Sequence, residues 1–316
     1  MSGIEILLAA SLGMTPVEAA IDVQGPSGTL AGTMLAPADG ANAPVVLIIP
    51  GSGPTDRDGN NPMGVRAAPY RLLAEALAER GVATIRIDKR GLFGSAAALA
   101  DANAVTVADY AADMQAWIAA ARSRTGASCA WLLGHSEGAL VALAAAQDAG
   151  EGLCGLLLVA APGRPLAEVL REQLRANPAN APLLEDALPA IDRLERGERV
   201  DPSGFHPALQ GLFSPQIQGF LISLFSYDPA ALAARSERPI LILHGGRDIQ
   251  VGDADARRLV EANPAARLVI LPEVNHVLKA VGSDDRGVNL ATYGDPDLPL
   301  APGVADAIAD FVRAAR

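Results

Sequence analysis

The sequence has few of the residues that bind nucleic acids or anionic membranes. It contains 25 Lys and Arg against 36 Asp and Glu, which gives a formal net charge of -11. Because nucleic-acid affinity rests largely on clustered Lys and Arg, this balance argues against a nucleic acid or an anionic membrane surface as a partner.

Motifs for common cofactors are missing as well. No Gly-x-Gly-x-x-Gly follows the first buried strand, so a dinucleotide site is not expected. The four histidines and two cysteines do not cluster with carboxylates at metal-ligand spacing. The sequence therefore predicts no metal and no cofactor.

The first twenty residues lack the basic segment of a signal peptide. Residues 4–14 are largely apolar, but no Lys or Arg precedes them and Glu5 lies among them. The run is too short to cross a membrane, so stable membrane insertion is not expected. We interpret residues 1–20 as a leader or a degenerate signal segment.

Only two cysteines are present, and each precedes a predicted strand by a similar offset. Cys129 precedes the strand at 130–134, and Cys154 precedes the strand at 156–160. If these parallel strands are neighbours, the two Cα atoms lie ~5 Å apart, within disulfide range. A disulfide would indicate an oxidising compartment, whereas reduced cysteines would pack as small apolar residues. Both interpretations stay open.

Short apolar runs alternate with helical patterns along most of the chain. This alternation predicts an α/β fold with a mostly parallel central sheet and helices on both faces. A hairpin at its edge precedes the buried strands. The predicted strands lie at 21–24, 30–36, 45–49, 82–87, 130–134, 156–160, 240–244 and 267–271.

Residues 163–238 interrupt this alternation. They contain short amphipathic helical patterns separated by breaks such as Asn-Pro and Asp-Pro-Ser-Gly. We interpret them as a helical cap inserted into a core that comprises residues 21–162 and 239–316.

A Gly-His-Ser-Glu-Gly sequence at 134–138 joins a buried strand to an Ala- and Leu-rich helix. Small residues on both sides of Ser136 allow the sharp turn of a nucleophile elbow, which presents the hydroxyl to an electrophile. The pattern predicts Ser136 as a nucleophile.

A serine nucleophile needs a base, and the base needs an acid that orients it. Asp248 follows the strand at 240–244, and His276 follows the strand at 267–271. Taken singly, each is also typical of an ordinary turn or surface loop. Together they complete the order Ser, Asp, His of a serine hydrolase, whereas His135 is expected to point away from the site.

Acyl transfer also needs backbone donors for the oxyanion. The sequence predicts the N–H of Glu137 and that of Ser52 or Gly53, in a loop whose glycines allow a close backbone approach. The Glu137 side chain is expected in a structural hydrogen bond, with substrate contact as the alternative.

The loop after this segment is rich in charge. Asp56, Arg57 and Asp58 are predicted to form an internal Arg–carboxylate network that fixes the loop, with substrate contact as the alternative. Asp88 and Arg90 are expected to act in the same way on the neighbouring loop.

With Ser136, Asp248 and His276 in this order, the chain resembles the α/β-hydrolase superfamily from Leu30 onward. The segment Pro-Gly-Ser-Gly-Pro-Thr-Asp-Arg-Asp-Gly-Asn at 50–60 is similar to the oxyanion loop of a bacterial esterase group that often hydrolyses short acyl esters and is frequently exported. The resemblance implies a carboxylesterase mechanism with an acyl-enzyme at Ser136. Together with the paired cysteines it favours a periplasmic or secreted location over the cytoplasm.

The expected substrate is a small ester with a short, uncharged acyl group, because the cap has no cluster of Lys or Arg. A peptidase, thioesterase or lactonase with the same triad is an alternative, as is a non-catalytic binding protein on the same scaffold. Six apolar cap residues are candidates for an acyl pocket or for the cap's own core: Leu212, Phe213, Phe220, Leu221, Leu224 and Phe225.

Overall fold

The structure, a computed structural model, describes residues 15–38, 40, 42–99 and 101–315. Most of the predicted leader lies outside the described residues. Its boundary at residue 20 needs correction, because the first strand, β1, spans Val17–Gly25. Residues 17–20 are exposed and show no burial pattern, so their pairing with the second strand could not be read from hydrophobicity.

Eight strands form one mixed sheet in the order β1-β2-β4-β3-β5-β6-β7-β8. The β1–β2 hairpin is antiparallel, β2 pairs antiparallel with β4, and every pairing from β4 to β8 is parallel. After β1 the strands are β2 (Gly28–Ala36), β3 (Val45–Ile49), β4 (Ala83–Ile87), β5 (Ala130–His135), β6 (Leu153–Val159), β7 (Ile240–Gly245) and β8 (Arg267–Leu271).

Helices cover both faces of the sheet, as β3 illustrates. All five of its residues are buried: Val45, Leu47 and Ile49 pack on one side, Val46 and Ile48 on the other. Such continuous apolar strands are typical of a parallel sheet that is buried on both faces. The predicted α/β fold is confirmed.

Two helices pack on the Val46 side, α1 (Pro69–Glu79) and α11 (Val304–Ala314). Three helices pack on the Val45 side, α2 (Val107–Thr125), α3 (Glu137–Ala146) and α9 (Asp253–Ala262). A short helix, α10 (Arg286–Ala291), lies in the segment between β8 and α11. No helix in the described part of the chain is both long and apolar enough to cross a membrane.

Five helices lie between β6 and β7, in the stretch predicted as the cap. They are α4 (Leu166–Ala176), α5 (Leu184–Glu195), α6 (Pro207–Gln210), α7 (Gln218–Phe225) and α8 (Pro229–Ala234). The strands that flank this stretch are direct neighbours in the sheet. The insertion therefore leaves the sheet continuous.

Cys129 and Cys154 are joined by a disulfide, with Cα atoms 5.1 Å apart. Ala130 pairs with Leu153 but Trp131 pairs with Gly155, so Cys154 is the extra residue of a bulge in β6. Of the two interpretations that the sequence left open, the structure has the bonded pair. It lies at the amino ends of β5 and β6.

Candidate active site

Ser136 occupies a sharp bend between β5 and α3. Its φ of 55° and ψ of -123° form a conformation that non-glycine residues rarely adopt. Its N–H donates to the Val159 carbonyl of β6 at 2.9 Å. The flanking glycines are required by space, because a Cβ on Gly134 would lie 2.2 Å from the Gly138 carbonyl oxygen, and one on Gly138 would lie 2.4 Å from that of Ile49.

Asp248 and His276 lie at the carboxyl ends of β7 and β8, and the structure brings them together. His276 Nδ1 is 2.7 Å from Asp248 Oδ2, and both side chains are buried. The other carboxylate oxygen accepts the N–H groups of Gln250 and Val251 at 2.8 and 3.0 Å. Because a carboxylate only accepts, His276 carries its proton on Nδ1 and leaves Nε2 free to take one.

The environment of Asp248 keeps it ionised. Burial alone would raise the pKa of its carboxyl group, but attraction to His276 and the hydrogen bonds from His276, Val251 and Gln250 bring that pKa below its usual value. The pair can therefore stabilise a positive charge on the imidazole ring.

The predicted oxyanion loop packs against the elbow at Gly51. A Cβ built there would lie 3.3 Å from Ser136 Cβ, whereas one on Gly53 would lie no closer than 3.7 Å to any atom, the nearest being in Asn61. Gly51 N–H donates to the Tyr70 hydroxyl at 3.1 Å, and its carbonyl accepts from Lys89 Nζ at 2.6 Å. Both polar groups of this glycine are thus fixed.

The charged residues beside this loop do not form one network. Arg57 pairs with Asp88, whose carboxylate accepts both its backbone N–H and its Nε at 3.1 Å. Asp56 instead accepts the N–H groups of Asp58 and Asn60 in its own turn, at 2.9 and 2.8 Å. The predicted Arg57–carboxylate contact therefore exists, but with the acid of the neighbouring loop.

Arg90 and Asp58 have partners outside the two loops, which corrects the expectation that each loop is fixed by its own charged residues. Arg90 forms a two-pronged bond with Asp113 of α2, at 2.8 and 2.6 Å, and Asp58 pairs with the buried Arg86 of β4. These partners are 23 and 28 positions apart in sequence, and only the folded sheet brings β4 against the loop and the turn after β4 against the helix.

His135 is not among the described residues that line the cavity with Ser136, but it contacts the backbone of the His276 loop, which the sequence did not indicate. It shares a face of β5 with Trp131 and Leu133, on the side that α1 covers. Its Nε2 is 2.8 Å from the His276 backbone carbonyl, and its Nδ1 is 2.9 Å from the Tyr70 hydroxyl. Strand alternation would have placed it on this face.

His135 is neutral in this setting. Burial and the nearby His276 ring lower its pKa to about 3. Its Nε2–H therefore donates to the His276 carbonyl, and its Nδ1 accepts from the Tyr70 hydroxyl, which itself accepts from Gly51 N–H. Hydrogen bonds thus link the oxyanion loop, the elbow and the His276 loop, with Tyr70 and Lys89 as members that the sequence analysis missed.

The Glu137 side chain is buried and makes a structural contact, as expected. Its Oε1 lies 3.2 Å from Lys89 Nζ, and the two side chains are 3% and 4% exposed. Lys89 was overlooked because it lies in an Asp-Lys-Arg-Gly turn that resembles an ordinary surface turn. Glu137 N–H is the first of α3, so it has no partner within the helix.

A cavity of about 600 Å³ lies over Ser136, between the core loops and the cap. Of the six apolar cap candidates, Phe213 is fully buried in the core. The other five line the cavity: Leu212, Phe220, Leu221, Leu224 and Phe225. Within the described ranges, no group of three or more His, Cys, Asp or Glu side chains is arranged to hold a metal ion.

The sheet order, the elbow after β5 and the acid and histidine loops after β7 and β8 define an α/β-hydrolase. Residues 63–279 match the family described as serine aminopeptidase, S33, and the chain belongs to that family.

Relatives and solved structures agree with this fold. The esterase EstD of Thermotoga maritima is 27% identical over 258 residues, which are 79% of this chain and 58% of that protein. The chain thus spans 58% of the length of this curated relative. Est1E from Butyrivibrio proteoclasticus and a thermophilic esterase from Thermogutta terrifontis are each 18% identical. They superpose with TM-scores of 0.57 and 0.56 over 94% of this chain and 98% and 99% of theirs.

Proposed function

We propose that this protein is a carboxylesterase-type serine hydrolase that acts through an acyl-enzyme intermediate. The observation that carries this proposal is the buried Asp248–His276 pair, at 2.7 Å, beside the bend that presents Ser136 to an apolar cavity. The esterase relative at 27% identity supports it.

In the proposed mechanism, His276 Nε2 accepts the proton of the Ser136 hydroxyl as Oγ attacks the ester carbonyl. Asp248 stabilises the resulting imidazolium. When the tetrahedral intermediate collapses, the C–O bond to the alcohol breaks and His276 returns the proton to the departing oxygen. A water molecule, deprotonated by His276, then releases the acid from Ser136.

The oxyanion donors in this mechanism are the N–H groups of Glu137 and Ser52. Packing of Gly51 against Ser136 supports Ser52 over Gly53, since it brings the Gly51–Ser52 peptide to the elbow. Backbone donors of this kind, aimed at the developing charge, supply much of the rate enhancement in acyl transfer.

The cavity supports an uncharged acyl group. Two cations are among the described residues that line it, and both are already paired: Lys89 with Glu137 and Arg90 with Asp113. The proposed preference for short chains follows from the esterase resemblance. A volume of about 600 Å³ also has room for larger groups, so the preference is expected as a gradual decline in rate with acyl length and not as a sharp limit.

An aminopeptidase is the second candidate, because it is the activity in the family's description. Recognition of a peptide amino terminus needs a carboxylate that can pair with an ammonium group. Among the described residues that line the cavity, the only carboxylate is Glu137, and Lys89 already occupies it. The cavity therefore favours an ester over a free amino terminus.

The test is turnover of p-nitrophenyl esters from acetate to decanoate, beside aminoacyl p-nitroanilides, with wild type and Ser136→Ala. We expect ester turnover by wild type alone, greatest with short acyl chains, and fluorophosphonate labelling that maps to Ser136. Equal hydrolysis by Ser136→Ala would refute the mechanism. Faster cleavage of the anilides would establish the peptidase instead.

We also propose that the protein functions in an oxidising compartment, periplasmic or secreted. The Cys129–Cys154 disulfide supports this, because disulfides persist where thiols are not kept reduced. Alkylation of protein taken from cells, followed by mass measurement, should find both thiols blocked. Two free thiols in freshly lysed cells would contradict the proposal.

A further inference from the structure

Lys89 and Glu137 form an ion pair in the wall of the catalytic cavity. Removing two charges from water is costly, and an apolar pair of similar volume is often equally or more stable. Stability alone therefore gives no reason for an ion pair at this position.

The contacts of Lys89 give a reason. Its Nζ donates to the Gly51 carbonyl at 2.6 Å as well as to Glu137 at 3.2 Å, and lies 5.6 Å from the centre of the Tyr110 ring. The described peptide bonds are trans, and in a trans peptide the carbonyl and the following N–H point in opposite directions. The bond to Gly51 therefore sets the direction of Ser52 N–H.

The other end of the pair reaches the second oxyanion donor. Glu137 contributes its side chain to the ion pair and its backbone N–H to the oxyanion hole. We propose that the Lys89–Glu137 pair fixes the two oxyanion donors relative to each other, and that Lys89 is a positioning residue for catalysis. This inference rests on the proposed serine-hydrolase function.

Neighbouring bonds fix the two peptides that flank the Gly51–Ser52 peptide, but not that peptide itself. Tyr70 accepts Gly51 N–H at 3.1 Å, and Thr55 Oγ1 donates to the Ser52 carbonyl at 2.8 Å. Lys89 binds the Gly51 carbonyl, which lies along the chain between these two hydrogen-bonded groups. Its loss would let the Gly51–Ser52 peptide rotate, and a donor that must reorient during the reaction stabilises the oxyanion less.

The experiment compares Lys89→Met, Lys89→Arg, Glu137→Gln and the double variant Lys89→Met/Glu137→Met. The control is Arg238→Met, which removes a cation bound to the Gly150 carbonyl at the opposite end of the sheet. For each we would measure kcat and KM on an ester, the rate of Ser136 labelling by a fluorophosphonate, and the thermal midpoint.

We expect Lys89→Met and the double variant to lower kcat and the labelling rate by about 100-fold, the scale of losing one oxyanion donor, with KM little changed. Lys89→Arg should restore much of the rate because it keeps the charge and can donate to both partners. The kcat and labelling rate of Glu137→Gln should lie between those of Lys89→Met and Lys89→Arg. The double variant should melt at or above the wild-type temperature.

Three results would overturn the proposal: labelling and kcat of Lys89→Met within about twofold of Arg238→Met, a rise in KM at constant kcat, or recovery of kcat in the double variant. The last would show that an unpaired charge, and not lost positioning, had lowered the rate. Labelling of Ser136 does not require ester turnover. A wild type that is labelled but inactive on esters would refute the proposed esterase, and the labelling rates would still test Lys89.

Discussion

The two ends of the parallel sheet use their buried bonds differently. At the carboxyl ends, hydrogen bonds run from Gly51 through Tyr70 and His135 to the His276 loop, and every group lies beside the proposed reaction centre. At the amino ends, the main cross-link is the Cys129–Cys154 disulfide. The difference suggests that one end determines the rate and the other the stability, and variants at each end can test that separation.

The largest effect is expected from Asp248→Asn. The oxygen that accepts from Gln250 and Val251 would be retained, so the new NH₂ group would face His276 Nδ1. The ring would then carry its proton on Nε2 and could not accept one from Ser136. We expect kcat to fall about 10⁴-fold, as when the acid of a serine triad is amidated.

The control for this variant is Asp253→Asn, which changes an exposed carboxylate in the same stretch of chain. It should keep the wild-type kcat. A loss of less than about tenfold in Asp248→Asn would mean that Asp248 does not set the protonation of His276.

At the other end, Cys129→Ala/Cys154→Ala should change stability and not rate. The disulfide closes a loop with a sequence separation of 25, and a loop of this size stabilises the fold by about 3.5 kcal/mol in the chain-entropy view. Urea unfolding should show this loss, and kcat measured below the melting range should be unchanged. A lower kcat in a fully folded variant would break the separation between the two ends.

The sequence predicted the strands and the proposed triad better than it predicted the hydrogen bonds between the loops. β3 was predicted with its observed bounds, because a run of buried β-branched and aliphatic residues determines a strand locally. Asp248 and His276 followed from their positions after strands. Tyr70, Lys89 and the partners of His135 were missed because their bonds join residues 19 to 141 positions apart. Such partners depend on how loops meet across the assembled sheet.

His135 also predicts a pH dependence of stability. Its native pKa of about 3 is below the ordinary value of 6.5, so between these pH values the unfolded chain binds a proton that the native protein does not. The free energy of unfolding should therefore fall as the pH falls from about 6.5 to 3, by up to about 1.4 kcal/mol per pH unit. His135→Gln should show a shallower decline in urea unfolding.

The control for this measurement is His206→Gln, which replaces an exposed cap histidine. If the free energy of unfolding fell equally with pH in wild type and His135→Gln, His135 would not be the group responsible. Other groups, such as Asp248, would then account for the acid sensitivity of the catalytic end.

Among the variants expected to lower kcat, the smallest effect is expected from Tyr70→Phe, which removes one hydroxyl and keeps the ring. Gly51 N–H would lose its acceptor and His135 Nδ1 its donor, while Lys89 would still hold the Gly51 carbonyl. Because one of the two anchors of Gly51 survives, we expect kcat to fall only about tenfold, below the cost of losing an oxyanion donor itself. Tyr227→Phe, outside the hydrogen-bonded series, should leave kcat unchanged. If Tyr70→Phe lowered stability but not kcat, these hydrogen bonds would stabilise the fold, as the disulfide does at the other end of the sheet. The proposed separation of rate and stability between the two ends would then fail.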